Sequence, residues 1–164
     1  MTLSITGFAA GQHYNHYGGA SNYQCLPLHP EHSATSAATS SRNYIYGAEY
    51  EAISDVFSTV AQDQNVPCAL CYTAGRSTTV TIPAKRNCPE KWTKEYEGYL
   101  MAGHYSHKHS YNYVCVDSHP EAVVGRGGNE NGALFYPTQT SCPSIGHCPP
   151  YIEGSELTCV VCSK

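Results

Sequence analysis

Nine histidines and nine cysteines lie in this chain of 164 residues. The histidine spacing is the first feature that suggests chemistry. His13-x-x-His16, His29-x-x-His32 and His104-x-x-His107-x-His109 each bring imidazoles near enough in sequence to grip one metal ion. None carries the Glu of the His-Glu-x-x-His helix of metalloproteases. The third group falls in Gly103–Ser110, between two strand-like segments, which makes it a loop, where binding residues concentrate. The plainer reading of any one of these rings is a solvated surface histidine.

A second constellation is rich in oxygen. Gly127-Gly128-Asn129-Glu130-Asn131-Gly132 precedes a strand-like run, and Asp117 and Glu121 lie just upstream. Calcium takes carboxylate, amide and backbone oxygens, and an Asn-Glu-Asn turn offers all three near one point. Asp117, Glu121, Glu130 and Asn131 are therefore the candidate calcium ligands, although the alternating acidic pattern of an EF-hand is absent. The competing reading is a plain polar turn. Catalytic signatures are thin. The chain has no Gly-x-Ser-x-Gly elbow and no phosphate-binding P-loop, and nothing in the sequence places a Ser, a His and an Asp together.

The cysteines stand at 25, 68, 71, 88, 115, 142, 148, 159 and 162. Cys68-Ala69-Leu70-Cys71 and Cys159-Val160-Val161-Cys162 have zinc-ribbon spacing within each pair. Their inner residues suit strands rather than the polar knuckles of a zinc site, and the pairs lie far apart in the chain. Neither opens a helix, as a thioredoxin-type redox motif does. Disulfides are the expectation: four internal pairs with one cysteine left over, free or joined to a second chain. Zinc and reduced thiols stay as the alternatives.

The composition narrows the class. The net charge is −4, which argues against nucleic acid or an anionic membrane surface as partner. Charged residues make up only 13%, which argues against disordered tails and coiled coils. Fourteen of the aromatic residues are Tyr, a ring that is both apolar and hydrogen-bonding. Met1–Gly7 has neither the basic start nor the apolar core of a secretory signal, so a secreted chain would stand here in mature form.

The elements that must position these groups read as strands between turns. Ala69–Thr73 and Ser77–Ile82 flank Ala74-Gly75-Arg76 and predict a hairpin. Trp92–Met101, Tyr111–Val116, Ala133–Tyr136 and Glu156–Cys162 are further strand candidates. Ile53, Val56, Phe57 and Val60 fit helical spacing and predict one short helix. The stretch 33–41 is low in complexity and reads as an exposed loop. The expected fold is mainly β: a compact, disulfide-stapled single domain over 1–164 with at most one short helix.

Blocks along nearly the whole chain carry a resemblance. They are Gly18–Pro27, Tyr46–Glu51, Asn65–Tyr72, Ile82–Lys85, Cys88–Met101, Cys115–Asp117, Asn131–Tyr136, Cys148–Tyr151 and Glu156–Cys162. With them the chain resembles a family of small secreted cysteine-rich proteins of cnidarians and other marine invertebrates, some called short-chain collagen-like. Within it, the chain is similar to galactose-specific lectins of sea anemones built of disulfide-linked subunits. The resemblance implies a secreted, non-enzymatic lectin for galactose-terminated glycans, and a disulfide-linked homodimer. Relatives carry one more cysteine near the N-terminus, whereas Met1–Phe8 has none, which agrees with the odd count.

The candidate sugar-binding residues are His104, Tyr105, His107, Lys108, Asn129 and Glu130, with Tyr105 as the ring that stacks on the pyranose and calcium as the expected cofactor. The alternatives are an extracellular matrix or structural interaction domain without a sugar site, and a secreted zinc hydrolase using the histidines.

Overall fold

The computed structural model describes residues 2–33, 42–58, 60, 62–125 and 127–164. Apart from Ser33, the low-complexity stretch lies outside the described residues. Nine strands are present: β1 (Thr2–Gly11), β2 (Gln24–Pro27), β3 (Tyr46–Tyr50), β4 (Pro67–Tyr72), β5 (Thr79–Pro83), β6 (Thr93–Ala102), β7 (Val114–Asp117), β8 (Ala133–Pro137) and β9 (Thr158–Ser163). The single helix among the described residues, α1 (Cys142–Ile145), is one turn long. The strands form one sheet in the order β2-β1-β3-β8-β6-β9-β5, with β4 joined to β1 and β7 to β6. Every pairing is antiparallel except β3 with β8. The fold is thus mainly β, in a single disulfide-stapled domain. No helix among the described residues is long and apolar enough to cross a membrane.

The sheet encloses a core of small and aromatic side chains. Ala9, Ala48 and Ala133 leave room for Tyr50, Phe57, Tyr111 and Phe135, and Met101 fills the remainder. On β9, Cys159 to Ser163 are all buried. A strand with a neighbour on each side and both faces covered reads as an unbroken apolar run. Cys159 and Cys162, three residues apart on an extended chain, point to opposite faces. Cys159 bonds Cys115 on β7, and Cys162 bonds Cys88 ahead of β6. Cys25 bonds Cys68, and Cys142 bonds Cys148. Four disulfides therefore form, and the odd cysteine is Cys71, exposed on β4. Neither Cys-x-x-Cys pair is a zinc half-site, because three of their four sulfurs are oxidised to distant partners.

Two expectations are corrected. Among the described residues of 53–60 no helix forms. The apolar residues do face the core, with Ile53 and Phe57 buried and Val56 and Val60 packed beside them. The backbone makes one turn, with the N–H groups of Val56 and Phe57 both donating to the Ile53 carbonyl at 3.0 and 2.8 Å. Ser54, Asp55 and Ser58 are poor helix formers, and a single nucleated turn is not extended. The ends of the segment are also tied together, by Tyr50 N–H to Gln64 O at 3.0 Å and Asp63 N–H to Tyr50 O at 2.9 Å. The predicted hairpin is absent as well. Both strands exist, but β4 pairs with β1 and β5 with β9. The turn at Gly75 reverses the chain locally, whereas the buried β9 gains more by taking β5 as its second neighbour.

Candidate functional site

Three connections meet at one end of the sheet: 12–23 after β1, 103–113 after β6, and the turn before β8. The first two are stitched together. His109 is buried, its backbone N–H donates to Tyr14 O at 3.1 Å, and its ring nitrogens sit 3.3 and 3.1 Å from the carbonyl oxygens of His16 and Ala20. Asn112 N–H donates to Ser21 O at 3.0 Å, and the Tyr111 hydroxyl donates to Gln12 O. Tyr14 N–H in turn donates to Gly132 O at 2.9 Å, which ties the first connection to the turn. At Gly132 a Cβ would strike the Gly47 carbonyl and the Tyr46 side chain, so only glycine lets the turn pack this closely on β3.

A continuous strip of rings results. His13 stacks on His16 and Tyr14, with centroids 4.6 and 4.9 Å apart, and meets Tyr46 edge-on at 5.1 Å. Tyr14 continues to His107 at 4.7 Å, and His107 to His104 at 5.2 Å. Both of these imidazoles lie against Tyr136, at 5.0 Å from His104 and 5.5 Å from His107. A cavity of about 630 Å³ opens beside the strip. Its lining includes His104, Tyr105, His107, Tyr113, Tyr136 and Gln139. Tyr105 stands almost fully exposed at 94%, beside the His104 ring.

The hydrogen bonds fix what these imidazoles present. Asn15 N–H donates to His13 Nδ1 at 3.1 Å, and Ser106 N–H to His104 Nδ1 at 3.3 Å. The Gln12 amide nitrogen, which can only donate, lies 3.1 Å from His16 Nδ1. An Nδ1 that accepts leaves the ring proton on Nε2. Metal ligation through Nε2 would need the opposite tautomer and would break these bonds. Burial, then the neighbouring His16, holds His13 below the usual imidazole range, and burial followed by His104 does the same for His107. Burial thus disfavours the charged form of His13 and His107, and the strip presents ring N–H and phenol O–H groups. Tyr136 is pushed up to about 12, first by burial and then by the neighbouring Glu51, Tyr14 and Asp63, so its hydroxyl stays protonated at neutral pH.

The turn before β8 is built on a residue that the sequence did not single out. Glu49 is 1% exposed, and its carboxylate accepts from Glu130 N–H at 2.8 Å and from Asn131 N–H at 3.0 Å. Asn129 and Asn131 adopt φ of 50° and 54°, the left-handed region that Asn tolerates better than most residues. The Asn131 side-chain amide closes the turn onto the Asn129 side-chain oxygen. The Glu130 and Asn131 backbone is thereby held while the Glu130 side chain is left at the surface.

The structure brings His104, Tyr105 and His107 to one cavity, and joins that loop to the Asn129–Asn131 turn through Tyr14. Lys108 turns away, with its ammonium 5.0 Å over the Tyr17 ring. Asp117 and Glu121 are elsewhere, lining a second cavity beside β7, with Asp117 accepting from His119 N–H at 2.9 Å. Among the described residues, no group of three or more His, Cys, Asp and Glu side chains has the geometry to hold a metal ion. Sequence reasoning missed Tyr14, Tyr46, Tyr136 and Glu49. The count of 14 tyrosines against 3 phenylalanines was the signal available for the first three. No protein-family model matches the chain, and no solved structure matches it.

Proposed function

We infer that this chain is a secreted lectin that binds terminal galactose at the cavity lined by His104, Tyr105, His107 and Tyr136. The observation that carries the reading is the donor strip: imidazole N–H and phenol O–H groups gathered beside an exposed aromatic ring. A pyranose offers a patch of C–H groups for a ring face, and hydroxyls for fixed donors and acceptors. Tyr105 supplies the ring. Asp55, Gln139 and Glu156, on the same cavity wall, supply the acceptors. Calcium, if used, binds at the Asn129–Asn131 turn with Glu130 as its carboxylate. The four disulfides support an oxidising, extracellular destination.

Calorimetric titration with lactose tests this. Saturable binding is expected, at least tenfold weaker for glucose-terminated maltose and tenfold weaker in Tyr105→Ala. Glu130→Gln, titrated with and without a chelator, reports whether calcium takes part, since only a calcium site makes the variant and the chelator act alike. A flat response across a glycan array would favour the matrix-domain reading.

Cys71 is the residue proposed to join two chains. It lies on β4, which pairs only with β1, between Leu70 and Tyr72, themselves 50% and 63% exposed. Without reductant the chain should run at twice its reduced mass in electrophoresis, and Cys71→Ser should run as a monomer. Alkylation without reduction should modify at most one thiol per chain. Three or more modified thiols would contradict the disulfide pattern. Two linked sites would raise avidity for multivalent glycans.

A further inference from the structure

A second cavity, of about 730 Å³, lies between β4 and β7 and shares no lining residue with the cavity beside the ring strip. That volume is within the range of sites that hold small organic molecules. The cavity reaches the edge of the hydrophobic core: Val66 and Phe135 belong to the core, Val114 and Val116 pack against it, and all four line the cavity. β4 and β7 are each paired on one side only.

Three tyrosines also line this cavity, and each has already committed its hydroxyl to a backbone carbonyl. Tyr23 donates to Leu134 O at 2.8 Å, Tyr50 to Glu121 O at 3.1 Å and Tyr96 to Cys115 O at 3.0 Å. The phenols can therefore offer ring surface but no free hydroxyl donor. Tyr23 is held between Phe135 and Tyr111, with centroids 4.1 and 4.5 Å away, and Tyr50 is buried, which leaves Tyr96 as the ring able to meet a ligand. The charged groups are of one sign. Asp117 and Glu121 are on the lining, no Lys or Arg is among its described residues, and His119 is the one group there able to become cationic. The carboxylate field reaches the cavity. After burial, the next causes that raise the Tyr50 phenol are Glu121 and Asp117, and the next for Tyr96 is Asp117.

An aromatic and apolar wall without free phenol donors, next to carboxylates with no Lys or Arg on the described lining and only His119 beside Asp117, suits one chemical class. We propose that the β4–β7 cavity binds a small organic cation, with an apolar body against Val66, Val114, Val116 and Phe135 and an ammonium group held by the Tyr96 ring and by Asp117 and Glu121. Aromatic faces attract such cations through the ring quadrupole, most strongly where water is excluded. An anion of the same size meets two like charges and no Lys or Arg among the described lining residues. This site is independent of the galactose reading.

The test is calorimetric titration of the whole protein at pH 7.5 with benzyltrimethylammonium, and with benzyl alcohol and phenylacetate as neutral and anionic counterparts. Saturable binding of the cation is expected, at least tenfold tighter than that of the alcohol, with no measurable binding of phenylacetate. The double variant Asp117→Asn, Glu121→Gln should bring the cation down to the level of the alcohol. Ala69→Trp, a substitution at an exposed position on the cavity wall, should abolish both, and saturating lactose should change neither. Both changes fall on exposed residues, and a thermal melt confirms that the variants are folded. Equal affinity for cation and anion, no saturable binding of the cation, or binding that persists in Ala69→Trp would each overturn the proposal.

Discussion

Glu49→Ala should destabilise the protein by about 3–5 kcal/mol in chemical denaturation and abolish lactose binding in whatever fraction remains folded. The carboxylate is fully buried and accepts two backbone N–H groups, at 2.8 and 3.0 Å. Hydrogen bonds to a charged partner contribute about 1.5–3 kcal/mol each, and truncation also leaves the two donors without a partner. Net stabilities of natural domains are about 5–15 kcal/mol, so a loss of this size approaches the whole in a marginal protein. Glu49→Gln separates structure from chemistry. Its amide oxygen keeps one bond while its NH₂ group confronts the other donor, so roughly half the loss is expected. A change below about 1 kcal/mol in Glu49→Ala would show that the turn holds its shape without this anchor.

Glu51 should make stability fall as pH rises. Its side chain is buried, and its carboxyl is pushed up to about 7, first by burial, then by the charge of Asp63 and a hydrogen bond with it, then by Glu49. Unfolded, the same carboxyl titrates near 4.3. The folded state therefore holds the proton more tightly. The contribution of Glu51 is complete below the unfolded value and is lost as pH rises from there through 7. Between pH 5 and pH 8 the loss should be about 2–3 kcal/mol, from 1.36 kcal/mol per pH unit of separation. In Glu51→Gln the curve over that interval should be flatter by the same amount. A wild-type curve parallel to that of the variant would show that Glu51 is ionised at neutral pH in the folded protein. The first region to loosen should be the loop from Ala52 to Asp63, whose two ends adopt positive φ of 50° and 65°. Hydrogen exchange at the Asp63 amide, bonded to Tyr50 O, would follow that loosening.

The sequence by itself determined the class of fold. Cysteine number and spacing in a weakly charged, turn-rich chain favoured disulfides with one sulfur left over, ahead of zinc or reduced thiols. The strands at 93–102, 114–117, 133–137 and 158–163 were legible, because Tyr, Val, Leu and Phe cluster there between Gly and Pro. The strands β1 and β3 were not. Thr2–Gly11 is rich in Ala and Gly, and Tyr46–Tyr50 carries a glycine and a glutamate, so neither has the composition of a strand. Small residues are there because large rings from elsewhere need the space, a requirement set only by what packs on them.

The same reason divides the site. The loop at 104–110 and the Asn-Glu-Asn turn announced themselves by polar residues between strands. Tyr14, Tyr46, Tyr136 and Glu49 became their neighbours only when the sheet order placed β1, β3 and β8 side by side. A buried carboxylate such as Glu49 is indistinguishable in sequence from a solvated one, since what defines it is two backbone donors about eighty residues away. Asp117 and Glu121 show the converse. They are near the turn in sequence, but β7 carries them to a different cavity, because proximity along a chain and proximity across a sheet are set by different forces: covalent spacing in the first case, strand pairing and core packing in the second.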